Sequence, residues 1–264
     1  MMSALKRFWM ARKQSKALRI LENTAALLLA LLVWGIAAHA IDEPIILPSP
    51  KRVLYRFFIL FTESELFGAI AFSLSRIALG FAGGLCIGLL LAVLSSASHT
   101  VEVLLRPYLF TAKAVPVASF VVLALFWFSS GPIALVISFL MVLPIVYTNV
   151  LEGIKATDHS MLEMAEVYGL SFRRRFVYLY VPSIKTPLLS ACRIALGLAW
   201  KAGIAAEIIG IPEGSLGEKL YLSKVWVETD SLLAYTLVIV TVSLLFEKLV
   251  MLGMRFLFRL WEKL

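Results

Sequence analysis

The sequence predicts an all-α integral membrane protein with six spans, on three observations. Of its 264 residues 61% are hydrophobic and only 16% charged, and the mean hydropathy is +0.90, far above the apolar share of a soluble domain. The apolar residues gather into runs of about 20, the length at which a helix rising about 1.5 Å per residue covers roughly 30 Å of hydrocarbon. No strand-like alternation competes with them, and an open sheet could not satisfy its edges in lipid.

The spans fall near Asn23 to Ile41, Ile77 to Ser96, Tyr108 to Phe128, Ile133 to Val150, Leu188 to Ile209 and Leu232 to Met254. Residues 1–22 form a basic N-terminal segment carrying Lys6, Arg7, Arg12, Lys13, Lys16 and Arg19, with the membrane domain over 23–264. That start resembles the n-region of a signal peptide. The apolar run after it is too long for an h-region and lacks a convincing cleavage site, so it reads as a retained first span. Lys and Arg beside spans stay on the cytoplasmic side, which puts both termini and the segment 151–182 inside, and the loops 42–76 and 210–231 outside. Lys51, Arg52 and Arg56 lie on the outer side against this rule. The formal charge of +8 then reflects cytoplasmic flanks in a lipid bilayer rather than nucleic-acid binding.

In the first outer loop, Leu47-Pro48-Ser49-Pro50 precedes two amphipathic stretches, Val53 to Phe61 and Leu66 to Leu74, expected as two short interfacial helices. The second span carries Gly80, Gly84 and Gly88, a stripe four residues apart that lets another helix approach closely. Packing within the chain is the simpler use of it, and a subunit interface the other. Pro116 and Pro144 should kink the third and fourth spans, and Trp127 to Pro132 should form a tight aromatic turn at the outer interface. Cys86 and Cys192 lie in apolar runs as packing residues, and His39, His99 and His159 are too scattered for a metal.

The longest polar interruption is 151–182. Ser160 and Glu163 stand at capping-box spacing, with Asp158 as a second candidate N-cap. Gly169 should close that helix, and Ser171 should cap a second short one from Phe172 to Tyr180. Met161, Leu162, Ala165, Val167, Tyr168 and Leu170 give this turn more apolar surface than a solvated connector needs, so it calls for a groove in a partner.

Glu163, Ala165, Gly169 and Pro182, with Leu179 and Val181 as conservative replacements, resemble the cytoplasmic signature Glu-Ala-Ala, three residues, Gly, nine residues, Ile-x-Leu-Pro of ABC-importer permeases. Met164 departs from it at the first alanine. Leu47 to Pro50, Arg193 to Trp200 and Glu207 look like the nitrate/sulfonate/taurine branch, which also includes carriers of thiamine pyrimidine precursors. The resemblance implies a type I ABC-importer permease fold with cytoplasmic coupling helices, in the cytoplasmic membrane of a prokaryote. It further implies a second permease subunit, forming a homodimer or a mixed pair, a cytoplasmic ATPase dimer using ATP and Mg, and an extracytoplasmic solute-binding protein. On it, Ser160, Met161, Leu162, Glu163, Ala165, Glu166, Tyr168, Gly169, Leu170 and Phe172 are the ATPase-coupling residues. The chain has no Gly-rich Lys-Ser/Thr phosphate loop, so the permease itself is expected to be no enzyme and to bind no cofactor.

Ionisable groups inside spans mark pathways or buried pairs. Lys201 is the sharpest case: it faces a cavity that attracts an anion, forms a structural ion pair, or snorkels toward the interface. Trp200 and Glu207 join it as pathway candidates. Glu207 lies about 600° further round the helix, off the face of Lys201, so its partner should be another helix or the outer loop. Arg193 and Lys113, in the inner half, are expected to snorkel, as is Arg76 at the outer boundary. A secondary transporter would show repeated halves, and a membrane enzyme would show clustered His, Asp or Cys; neither pattern is visible.

Overall fold

A computed structural model describes residues 16–261. Lys6, Arg7, Arg12, Lys13 and Lys263 lie outside the described residues. The chain runs α1 Lys16–Ile41, α2 Pro50–Leu60, α3 Ser64–Ala97, α4 His99–Ala114, α5 Val117–Ala124, α6 Ile133–Lys155, α7 His159–Val167, α8 Phe172–Arg175, a π-helical turn Phe176–Tyr180, α9 Val181–Gly210, α10 Leu216–Val225 and α11 Thr229–Trp261. Five helices are long and apolar enough to cross a membrane, and six spans result if the bent pair α4–α5 counts as one.

Helix α6 is the centre, with α3 on one flank and α9 on the other. Small residues make this possible. A Cβ on Gly84 would sit 2.8 Å from Val142 Cβ, one on Gly88 3.0 Å from Val146 Cβ, and one on Gly80 2.9 Å from Ser138 Cβ. The stripe therefore faces α6 of the same chain. Opposite it, a Cβ on Gly203 of α9 would meet Ile77 Cγ1 at 2.6 Å and Ser138 Oγ at 2.9 Å, and Ser138 donates to the Ala199 carbonyl at 3.0 Å. Three backbones thus pack at a separation that no larger side chain allows. By contrast α1 is peripheral, its leucines exposed for lipid, and it is tied to the rest by Trp34 Nε1 donating to the Pro48 carbonyl.

Three expectations need correction. Leu66 to Leu74 is not a separate interfacial helix: it is the first part of α3, which runs unbroken for 34 residues. The third span is not one helix, because α4 and α5 meet at 104°. Pro116 N-caps α5 there, and its ring disfavours a helical conformation at Val115. Pro144 lies buried inside α6, which runs unbroken from Ile133 to Lys155, and Thr148 Oγ1 donates to its carbonyl. Finally, the helix from Phe172 does not stop at Tyr180. It continues through the π turn into α9 as a single span-length helix, Arg173–Gly210. The widened turn sits just before Pro182, whose missing N–H and bulky ring would break a regular α-helix.

Two basic residues of the 42–76 loop, Arg52 and Arg56, are paired. Arg52 Nε pairs with Asp230 at 3.0 Å and Arg56 with Glu63 at 2.9 Å. Arg56 also donates to Ser231, and Lys219 pairs with Glu65.

Candidate functional site

At one end of the bundle, beyond α6, a short helix stands out from the packed core. Its N-cap is Asp158, whose carboxylate accepts from Ser160 N at 2.9 Å and from Ser160 Oγ at 2.7 Å. Ser160 therefore does not cap the helix itself: Asp158 does, and Glu163 pairs with His159 at 3.3 Å instead of closing a capping box. The two hydrogen bonds from Ser160 hold the Asp158 carboxyl below its ordinary range.

The C-terminus of α7 is a Schellman motif. Leu170 N donates to the Ala165 carbonyl and Gly169 N to the Glu166 carbonyl, both at 2.9 Å, and Gly169 takes φ +63°, the conformation glycine alone adopts cheaply. Arg175 Nε then donates to the Leu170 carbonyl at 2.9 Å, locking the turn to the start of the next helix. Ala165 is buried and Leu162 half-buried, whereas Met161, Met164, Val167 and Tyr168 are exposed, Val167 at 85% and Tyr168 at 77%. Glu163 and Glu166 are exposed among them, and Phe172 begins α8. The caps at both ends therefore leave this helix with its apolar side chains turned outward from the bundle. Its base is firm: Lys155 pairs with Glu102 at 2.7 Å, and Gly153 lets Pro187 approach so closely that a Cβ would lie 3.1 Å from the ring.

At the opposite end, Glu207 is fully buried. Its Oε2 accepts from Ser73 Oγ at 2.7 Å and from Gly217 N at 3.1 Å, and Ser73 Oγ accepts from Leu216 N at 3.0 Å. Ser215 caps α10 by accepting from Glu218 N, and Glu218 reaches back to Gly214 N at 2.6 Å. Every N–H in the first turn of α10 thus has an acceptor, two of them from other helices, while the second carboxylate oxygen, Oε1, is buried without a hydrogen-bond partner among the described residues. Gly217 is required because a Cβ there would collide with Glu207 itself. Arg76 stacks on Phe72 and donates to the Gly131 carbonyl at 2.7 Å, fixing the aromatic turn beside this carboxylate.

The three pathway candidates separate. Glu207 does not line a groove; it fastens α10 to α3 and α9. Trp200 is 2% exposed and packs on Phe246 at 6.1 Å, forming the floor of a cleft of about 410 Å³ between α9 and α11. Lys201 stands exposed in that cleft. Sequence reading missed α10 within the 210–231 loop, although Ser215-Leu216-Gly217-Glu218 carries the capping-box spacing that announces it. Among the described residues no group of His, Cys, Asp or Glu could hold a metal.

A family model described as "Binding-protein-dependent transport system inner membrane component" matches residues 84–262. The formylaminopyrimidine transport permease protein ThiX of Halalkalibacterium halodurans is 29% identical over 204 residues, 75% of this chain and 80% of that protein. The putative aliphatic sulfonates transport permease protein SsuC of Escherichia coli is 32% identical over 219 residues, 82% of this chain and 81% of that protein. Among solved structures, a chain of an amino acid ABC transporter crystallised with histidines shares the fold with a TM-score of 0.60. It is 18% identical, and the match covers 75% of this chain and 96% of that one.

Proposed function

The chain belongs to the family of binding-protein-dependent transport system inner membrane components, and from that premise we propose that it is the pathway-forming permease subunit of an ATP-driven importer. In this reading the α7 end faces the cytoplasm and both termini lie there. The observation that carries it is the capped helix over 158–170, held by Asp158, Gly169 and Arg175 with Met161, Met164, Val167 and Tyr168 presented outward. A separate ATPase dimer takes this knob in a groove, a second copy of the chain completes the pathway, and a binding protein delivers the solute to the α10 end. When ATP closes the ATPase, α7 and its turn move as a rigid body and switch the access of the pathway. The solute is a small anion of the sulfonate or taurine type. The relative that carries formylaminopyrimidine keeps a small pyrimidine as the second reading.

Copurification tests the partnership: the wild-type chain should bring down a stoichiometric ATPase, and solute uptake by the chain alone would sink the proposal. Gly169→Val forces a β-branched residue into φ +63°. That variant should still insert but lose the ATPase, or lose solute stimulation of its turnover.

A further inference from the structure

On α9 the exposed positions Thr186, Ser190, Arg193 and Lys201 recur at steps of three, four or eight residues. Gly197 falls between them, with open space where a Cβ would stand. At about 100° per residue these lie within one face of the helix, with Arg193 and Lys201 roughly 12 Å apart along it. Three clefts line this face end to end against α11. The cleft at Lys201 shares Leu244 with the next, of about 340 Å³. That one shares Arg193, Met251 and Arg255 with the third, of about 280 Å³. Their cations are Lys201, Arg193, Lys248 and Arg255, and Glu247 is the sole carboxylate among the lining residues. Hydroxyls come from Thr236 and Ser243 at one end and Thr186 and Ser190 at the other.

Resting on the permease reading above, we infer that this face of α9 is an anion track. Lys201 is its first station and Arg193 its second, and Glu247 is the counter-ion that an arriving anion displaces. Lys201 has no carboxylate or hydrogen-bond partner among the described residues, and it stands nine residues from Gly210, about 14 Å into a layer roughly 30 Å thick. A lone ammonium at that depth is costly unless a ligand or water meets it, and it is too deep to serve a lipid headgroup. Arg193 Nε lies 3.8 Å from Glu247 Oε1, beyond hydrogen-bond length, so the guanidinium is held but not spent. The ligand is a small solute bearing one strongly acidic group, which passes from a point charge to a planar fork that matches its oxygens. Trp200 and Ile204 give the first station an apolar floor for the rest of the molecule.

The test needs no knowledge of the natural solute. With Cys86→Ser and Cys192→Ala as background, Gly197→Cys or Ser190→Cys is introduced into the full chain in membranes with its partners. The thiol is then reacted with 2-sulfonatoethyl methanethiosulfonate or with the trimethylammonioethyl reagent. Rates are normalised to those with a free thiol. The anionic reagent should be favoured about tenfold or more, as a cleft of one charge sign concentrates its counter-ion. Lys201→Gln with Arg193→Gln should abolish that preference. Absence of reaction at both positions, or a preference untouched by the double substitution, overturns the track. ATPase copurified from the same membranes reports separately on the permease reading. Retention of the ATPase by the cysteine variants shows that they are folded.

Discussion

The Glu207 contact offers a calculation that can fail. In Glu207→Ala, Gly217 N and Ser73 Oγ lose the acceptor that now lies 3.1 and 2.7 Å away, in a site with no solvent exposure at Glu207. Each buried donor left unpaired costs about 1–3 kcal/mol, so the pair amounts to about 2–6 kcal/mol. Glu207→Gln keeps an acceptor oxygen at the same reach for both donors, but its amide N–H groups replace Oε1, which is buried without a partner among the described residues, a cost of about 1–3 kcal/mol. The expected order is wild type, then Gln, then Ala lowest. Thermal unfolding in detergent can be followed through the buried Cys192 reacting with a maleimide dye, in a Cys86→Ser background because Cys86 is exposed. Trypsin cleavage at Lys219 and Lys224 reads the local release of α10. An alanine variant with an unchanged midpoint and unchanged cleavage would falsify the account, and so would a glutamine variant as damaged as alanine.

Two shorter tests concern packing and capping. Gly84→Ala places a methyl 2.8 Å from Val142 Cβ and should destabilise by about 1–3 kcal/mol through overpacking, whereas Gly197→Ala, with open space around it, should be neutral or stabilising; parallel unfolding curves compare them. The Asp158 cap depends on pH with a definite sign. Its folded pKa is depressed, so its contribution is complete above the unfolded value of about 3.9 and is lost as pH falls through the lower folded value. Hydrogen exchange at Ser160 and Leu162, corrected for intrinsic rate, should therefore show the same protection from pH 8 to 5.

The parts legible in sequence are those set by local chemistry. Run length marks the spans, the glycine stripe at 80, 84 and 88 marks a close helix contact, and Gly169 marks a chain reversal. The parts that escaped depend on what is far away in sequence. Nothing local distinguishes Pro116, which breaks its span, from Pro144, which α6 absorbs in a packed interior. Nor does local sequence say that Glu207 meets Ser73, 134 residues earlier. Leu66 to Leu74 has the period of an interfacial helix, but the absence of a breaker before Ile77 lets α3 run straight through it. The capping-box spacing of Ser215 and Glu218 is legible in the sequence.

The continuity of α8, the π turn and α9 constrains how a push at α7 can act. From Arg173 to Gly210 one helix of 38 residues, about 57 Å long, joins the Gly169 turn to the Glu207 contact and carries Arg193 and Lys201 on its exposed face. Helix α9 cannot slide freely on α3 and α6, because Gly203 against Ile77 and the Ser138 to Ala199 hydrogen bond interlock all three, and close-packed contacts of this kind resist continuous deformation. A force delivered to α7 is then expected to rotate this three-helix body as a unit. The proposed switch then has its room at the 104° break between α4 and α5 and in the open cleft along α11; on that proposal the cation-bearing stripe moves with the switch rather than through it.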